Sequence, residues 1–183
     1  MGLTFLSSQP ADDDSSIDFT SGIDGTYNEY LFTIVNFKPE TDEQRLCFQV
    51  DTGTATTYGQ NITSTTFSAG HSQSGSWADL AYEGSHDQAQ GTALQRLSYA
   101  GESNTNADMT VSGQLTLYDP SSSTYVKHFT AITNVKYISG ATTYSFAFYT
   151  AGYVNTTTAL TRVRFASQSD NIFTGTFALY GVS

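Results

Sequence analysis

Apolar and polar residues alternate along this chain with a period of two, the spacing of a strand with one buried face. Between Glu29 and Phe37, Tyr30, Phe32 and Ile34 oppose Leu31, Thr33 and Val35, so this strand is expected to be covered on both faces. Arg45 to Val50 places Leu46, Phe48 and Val50 on one side, and the polar run Lys38 to Glu43 predicts a hairpin joining the two segments. Met109–Leu117, Tyr125–Tyr137 and Tyr144–Tyr149 alternate as cleanly, and Leu160–Phe165 sets Arg162 and Arg164 against Val163 and Phe165. In the last run, Phe173, Phe177 and Leu179 face one way and Thr174, Thr176, Ala178 and Tyr180 the other. Turn signals recur at Asp119-Pro120, Ser139-Gly140, Ala151-Gly152 and Ser169-Asp170. Nine or ten short strands with no helix predict an all-β fold, a jelly-roll-like antiparallel β-sandwich.

The organisation expected is an N-terminal arm or edge strand over residues 1–16, then a single sandwich domain over 17–183. Within it, residues 51–91 are rich in Ser, Thr, Gly and Gln and read as a long polar loop region with irregular strands at Ile62–Phe67 and Trp77–Tyr82.

Only 38% of the 183 residues are apolar, but twelve Tyr and twelve Phe supply large rings for a core. Seventeen acidic against seven basic residues give a net charge of −10, which disfavours nucleic acid and anionic membranes as partners. The single cysteine, Cys47, lies between Leu46 and Phe48 and is expected to be a buried or interface thiol. No run approaches the roughly 18 apolar residues of a membrane helix, and Met1–Pro10 lacks the features of a signal peptide. The expectation is a protein assembled in a cytoplasm, with no membrane insertion.

Candidate chemistry is sparse. Asp12-Asp13-Asp14 lacks the Gly and Glu of a calcium loop, and His71, His86 and His128 show no zinc spacing. Gly70-His71-Ser72-Gln73-Ser74-Gly75 brings its final Gly one residue late for a nucleophile elbow. Among the acids near predicted loops, Glu83, Asp87, Glu102 and Asp108, no spacing selects a pair for glycoside hydrolysis. No enzymatic activity, metal or cofactor is expected. Trp77 and Tyr82 lie in polar surroundings and suit stacking on sugar rings, with Asp79 or Asp87 accepting hydrogen bonds from sugar hydroxyls. Leu3, Phe5 and Leu6, ahead of the acidic run, suit docking onto the sheet edge of a neighbour.

Two segments resemble a family of small jelly-roll-like β-sandwich proteins of tailed-phage virions, of marine or cyanophage type. Tyr27 to Asp42 is similar to that family's aromatic-x-x-Tyr strand followed by Asn and Pro-x-Thr-Asp, with a second strand like Leu46–Asp51 after it. Gly175-Thr176-Phe177-Ala178-Leu179-Tyr180-Gly181-Val182 resembles the family's closing Gly-Thr-x-x-Leu-Tyr-Gly. Where the family carries Gly after Thr-Asp, this chain has Glu43. The resemblance implies a non-enzymatic virion part: a capsid decoration, or a tail or fibre component forming a knob-like head or tail appendage. It implies other virion proteins as partners and a homo-oligomer, often a trimer; a glycan-binding module that recognises a host-surface glycan is the alternative.

Overall fold

The computed structural model describes residues 2–53, 57–101 and 108–183, and among them finds thirteen strands and no helix. The chain is an all-β antiparallel sandwich, as its period-two pattern predicts, but the two sheets are unequal. The larger runs in the order β1 (Leu3–Asp14), β13 (Ile172–Val182), β3 (Glu29–Pro39), β9 (Val111–Tyr118), β10 (Lys127–Ser139), β11 (Thr142–Val154), β5 (Ile62–Ser72) and β6 (Ala78–Tyr82), with β7 (Ala89–Gly91) also on β5. The smaller runs β2 (Ile17–Phe19), β12 (Arg162–Ser167), β4 (Leu46–Asp51) and β8 (Gln95–Arg96). The triplet β1-β13-β3 of one sheet recurs as β2-β12-β4 in the other, so three chain segments turn the corner between sheets side by side.

Rings from both sheets meet in the core. Phe32 packs edge-on against Phe19 at 5.3 Å and Phe165 at 5.5 Å, Phe165 tilts onto Phe177 at 5.3 Å, and Phe48 meets Phe129 at 4.8 Å. All six are buried, which is how a chain lean in aliphatic residues fills its interior. Cys47 is buried too, and burial pushes its thiol up to about 12.

Several details differ from the sequence expectation. β3 and β4 do not form a hairpin: β3 pairs with β13 and β9, β4 with β12 and β8, and the turn between them crosses from one sheet to the other. β3 buries one face only, since Val35 is 49% exposed opposite the fully buried Tyr30, Phe32 and Ile34. Register shifts between Ile172 and Thr176 break the alternation in β13, burying Ile172 and turning Phe173 outward. Ala151-Gly152 is no turn but lies inside β11, where Gly152 leaves room for the Phe129 ring. Residues 51–91 are not mainly loop. β5 pairs with β11 over eleven consecutive residues. Its buried positions include Thr66, Ser68 and Ser72, whose hydroxyls are satisfied by Thr150, Glu83 and the Trp77 amide, so no apolar alternation marks this strand. Of the two forms expected for residues 1–16, arm or edge strand, residues 3–14 take the second, a twelve-residue edge strand on β13.

Tyr27–Asp42 and Gly175–Val182 lie together. β3 and β13 are neighbours, with Tyr30 opposite Gly181 and Phe32 opposite Leu179. The Tyr27 ring occupies the space a side chain at Gly181 would need, so the closing Tyr-Gly and the opening aromatic fit one another. Glu43 takes φ 64°, the left-handed region that glycine favours.

Candidate functional site

Two surfaces stand out, on opposite faces of the larger sheet. The first is a cleft on its inner face, at the end the smaller sheet does not reach. β11 contributes Tyr144 and Phe146, two residues apart and so on one side, and β10 contributes Tyr137 directly opposite Tyr144. β5 brings Gly70 opposite Phe146. Trp77, just before β6, lies across that glycine, where an added methyl would sit 2.7 Å from the indole. The Ser72–Trp77 turn is held by mutual bonds: Ser72 N–H donates to the Trp77 carbonyl (2.8 Å) and Trp77 N–H donates to Ser72 Oγ (2.9 Å), with Gly75 at φ 74°. Tyr99 closes the cleft from the segment after β8, which is tied to β4 by Leu97 N–H donating to the Leu46 carbonyl at 2.8 Å.

Phe146 is the hub. Tyr99 stacks on it at 4.4 Å and 12°, while Trp77, Tyr137 and Tyr144 surround it at 5.8, 6.2 and 5.9 Å. With Ser139 these residues line a cavity of about 330 Å³.

The second surface is the outer face over β9, β10, β11, β5 and β6. Its outward positions are Thr, Ser, Gln, Asn, Ala, His and aromatic or aliphatic residues, and Lys136, paired with Asp108, is the one formal charge among them. Tyr82, Phe67, Tyr149 and Ile132 stand opposite one another in register across four strands. Phe67 stacks flat on Tyr149 at 4.8 Å and 8°, and Tyr82, Phe67 and Ile132 are 69%, 44% and 47% exposed. A groove of about 230 Å³ runs beside this row, between Thr65, Thr130 and Ala151.

No family model, curated protein or solved structure matches the chain. Its chemistry therefore rests on these residues.

The structure separates the expected sugar-binding residues. Trp77 belongs to the inner cleft, whereas Tyr82 is on the outer face, its hydroxyl donating to Asp87. Asp79 stands opposite Gly70 in the exposed β6, with its carboxylate turned to the Leu80 amide at 2.9 Å. The docking trio also divides: Leu3 and Phe5 are each 59% exposed, Phe5 edge-on to Tyr180 at 5.7 Å, while Leu6 tucks partly against the core at a bulge. Sequence reading missed Tyr137, Tyr144 and Phe146, which look like ordinary strand residues and carry no signal in the sequence that sets them apart.

The remaining candidates have structural partners. In Gly70–Gly75, His71 and Ser72 point to opposite faces of β5, and the Ser72, Ser74 and Ser76 hydroxyls contact one another. Glu83 accepts from Ser68 Oγ at 2.6 Å, and Glu102 lies outside the described residues. His86 is buried, its Nε2 accepting from Arg45 Nε at 3.1 Å. Burial and the Arg45 charge hold its pKa below the usual histidine value. Among the described residues, no three His, Cys, Asp or Glu side chains gather as metal ligands.

Proposed function

We propose that this chain is a non-enzymatic structural protein of a phage virion, decorating the capsid or forming a knob-like part of a head or tail appendage. It attaches through the outer face of its larger sheet. The observation that carries the attachment is that, among the described residues, the outward strand positions of that face hold a single charged side chain, Lys136, in a chain of net charge −10. A face that only had to stay wet would share in the carboxylates. One that is to be desolvated against a partner excludes charge and keeps aromatic anchors, the composition of an interface core. The virion context is supported by the resemblance carried by Tyr27–Asp42 and Gly175–Val182, two segments that pack on each other in β3 and β13.

The test joins solution size to incorporation. Light scattering behind a sizing column gives the state of the free chain, and mass spectrometry of purified virions from the source culture asks whether the chain is present. Ile132→Lys with Phe67→Lys is expected to abolish incorporation, or to reduce a wild-type oligomer to monomer, with the fold unchanged. Virions without the chain would remove the virion reading. Wild-type behaviour of the double variant would remove the attachment face.

A further inference from the structure

We propose that the inner cleft around Phe146 binds a neutral sugar ring, stacked on Trp77 and hydrogen-bonded by the surrounding hydroxyls. The cleft exists because the sandwich is unequal: the inner face of β11, β5 and β6 extends past the smaller sheet, so aromatics that would be core remain half-buried at its mouth. At about 330 Å³ it is a small-ligand site, at the low end of the usual range.

Its chemistry selects the ligand class. Trp77 is 38% exposed, and its ring neighbours meet it at steep angles, Tyr144 at 84° and Phe146 at 53°. Neither ring stacks flat on the indole. The bare backbone of Gly70 lies beneath it, where any side chain would displace it. A pyranose offers a face of C–H groups to such a ring and hydroxyls around its rim. The rim would meet Tyr99, Tyr144 and Ser139, whose hydroxyls can each donate and accept.

Other classes fit less well. Among the described residues no charged side chain lines the cleft, so none of them would neutralise a phosphate or a carboxylate. A purely apolar ligand would strip water from the Tyr99, Tyr144 and Ser139 hydroxyls and return no hydrogen bond. A polyproline helix needs an open track between aromatic residues. Here the rings around Phe146 are inclined to it from 12° to 69° and form a cup. The inference uses the cleft alone and holds with or without the virion reading.

Trp77 is the only tryptophan, so its emission and its indole N–H resonance report on this site directly. The full chain is titrated with glucose, galactose, mannose, N-acetylglucosamine and cello- and chito-oligosaccharides to about 10 mM, tenfold above the dissociation constant of a weak, about 4 kcal/mol complex. At least one sugar is expected to shift both signals saturably. Tyr144→Ser is expected to weaken that sugar at least tenfold, and Gly70→Ala, which pushes the indole out, to do the same. Tyr82→Ser on the outer face is expected to leave the affinity unchanged. No saturable shift with any of these sugars overturns the proposal. So does a shift with decaproline in place of sugar, or equal weakening by Tyr82→Ser.

Discussion

Arg164 offers the sharpest test of the forces at the corner of the sandwich. It lies directly opposite Asp18 in the β12–β2 pairing, with Nε 2.9 Å from Oδ1 and Nη2 3.3 Å from Oδ2, and its guanidinium sits 4.0 Å from the centre of the Tyr58 ring. The Arg164 and Asp18 side chains are 32% and 26% exposed, so the pair is worth more than a fully solvated one and less than a buried one. A two-pronged pair of this kind contributes about 1 kcal/mol, and the ring contact about 1 kcal/mol more. Arg164→Met should therefore cost about 2 kcal/mol at pH 7, and the coupling to Asp18→Asn in a double-mutant cycle should be about 1 kcal/mol. The pH dependence has a definite sign. Burial pushes the Asp18 carboxyl up, but hydrogen bonds from Arg164, Ser16 and Tyr58, with the Arg164 charge, together hold it below its usual 3.8. Its contribution is complete above pH 3.8 and is lost as pH falls through the lower folded value. Urea unfolding followed by Trp77 emission, for wild type, both single variants and the double, measures the coupling at pH 7 and in strong acid. A coupling that survives full protonation of Asp18 would refute the electrostatic account, as would one indistinguishable from zero at pH 7.

Gly113→Ala should cost about 3 kcal/mol by urea unfolding, because the added methyl meets the backbone of Ile132 and Thr133 in β10 and not the yielding end of a side chain. His86 binds its proton less readily folded than unfolded, so stability should fall as pH drops below 6.5 and level off below the folded pKa. In His86→Gln, whose carbonyl can accept from Arg45 as Nε2 does, that decline should be absent from the same unfolding series. Cys47, buried with its thiol pushed up to about 12, should resist a thiol reagent at pH 8 in the folded chain and react at once in urea; rapid native labelling would contradict the burial.

The fold class was legible because the period-two pattern is strong wherever large apolar side chains make the core, as in β3, β9, β10 and β12. It faded in β5, whose buried positions after Ile62 are Thr66, Ser68, Gly70 and Ser72, so a fully paired strand carries the composition of a loop. Pairing was harder to read than strand position. Nothing in Lys38–Arg45 distinguishes a turn that reverses within one sheet from one that crosses to the other, and that choice is made by partners far along the chain in β12 and β13, such as Arg162 opposite Asp51 and Ile172 opposite Pro39. The site was half legible. Trp77 was found because a lone indole among polar residues is conspicuous, but pairing it with Tyr82 overlooked the strand period: five residues apart in and before β6, the two must face opposite sides.

Both surfaces follow from one asymmetry. A sandwich whose sheets matched would bury all of each inner face and need only solvation outside. Here nine strands make one sheet and four the other, so β11, β5 and β6 have more inner surface than β8 and the segment after it can cover. Filling that overhang with aliphatic residues would leave an open hydrophobic wound, whereas Tyr, Trp and Ser tolerate water at their polar atoms and still pack through their rings. On the reverse side, β-branched and aromatic residues stabilise the long strands through cross-strand pairs such as Phe67 with Tyr149, without recourse to charge. Several carboxylates lie instead at turns and edges, as in Asp12–Asp14, Glu40–Glu43 and Asp119, and Asp87 meets the outer face only through the Tyr82 hydroxyl. If that distribution reflected solubility alone, moving two of them onto the outer face should change nothing but the isoelectric balance. If the face is kept for a partner, the same net charge redistributed should abolish attachment and leave stability intact, and that contrast separates a merely soluble sandwich from one made to be covered.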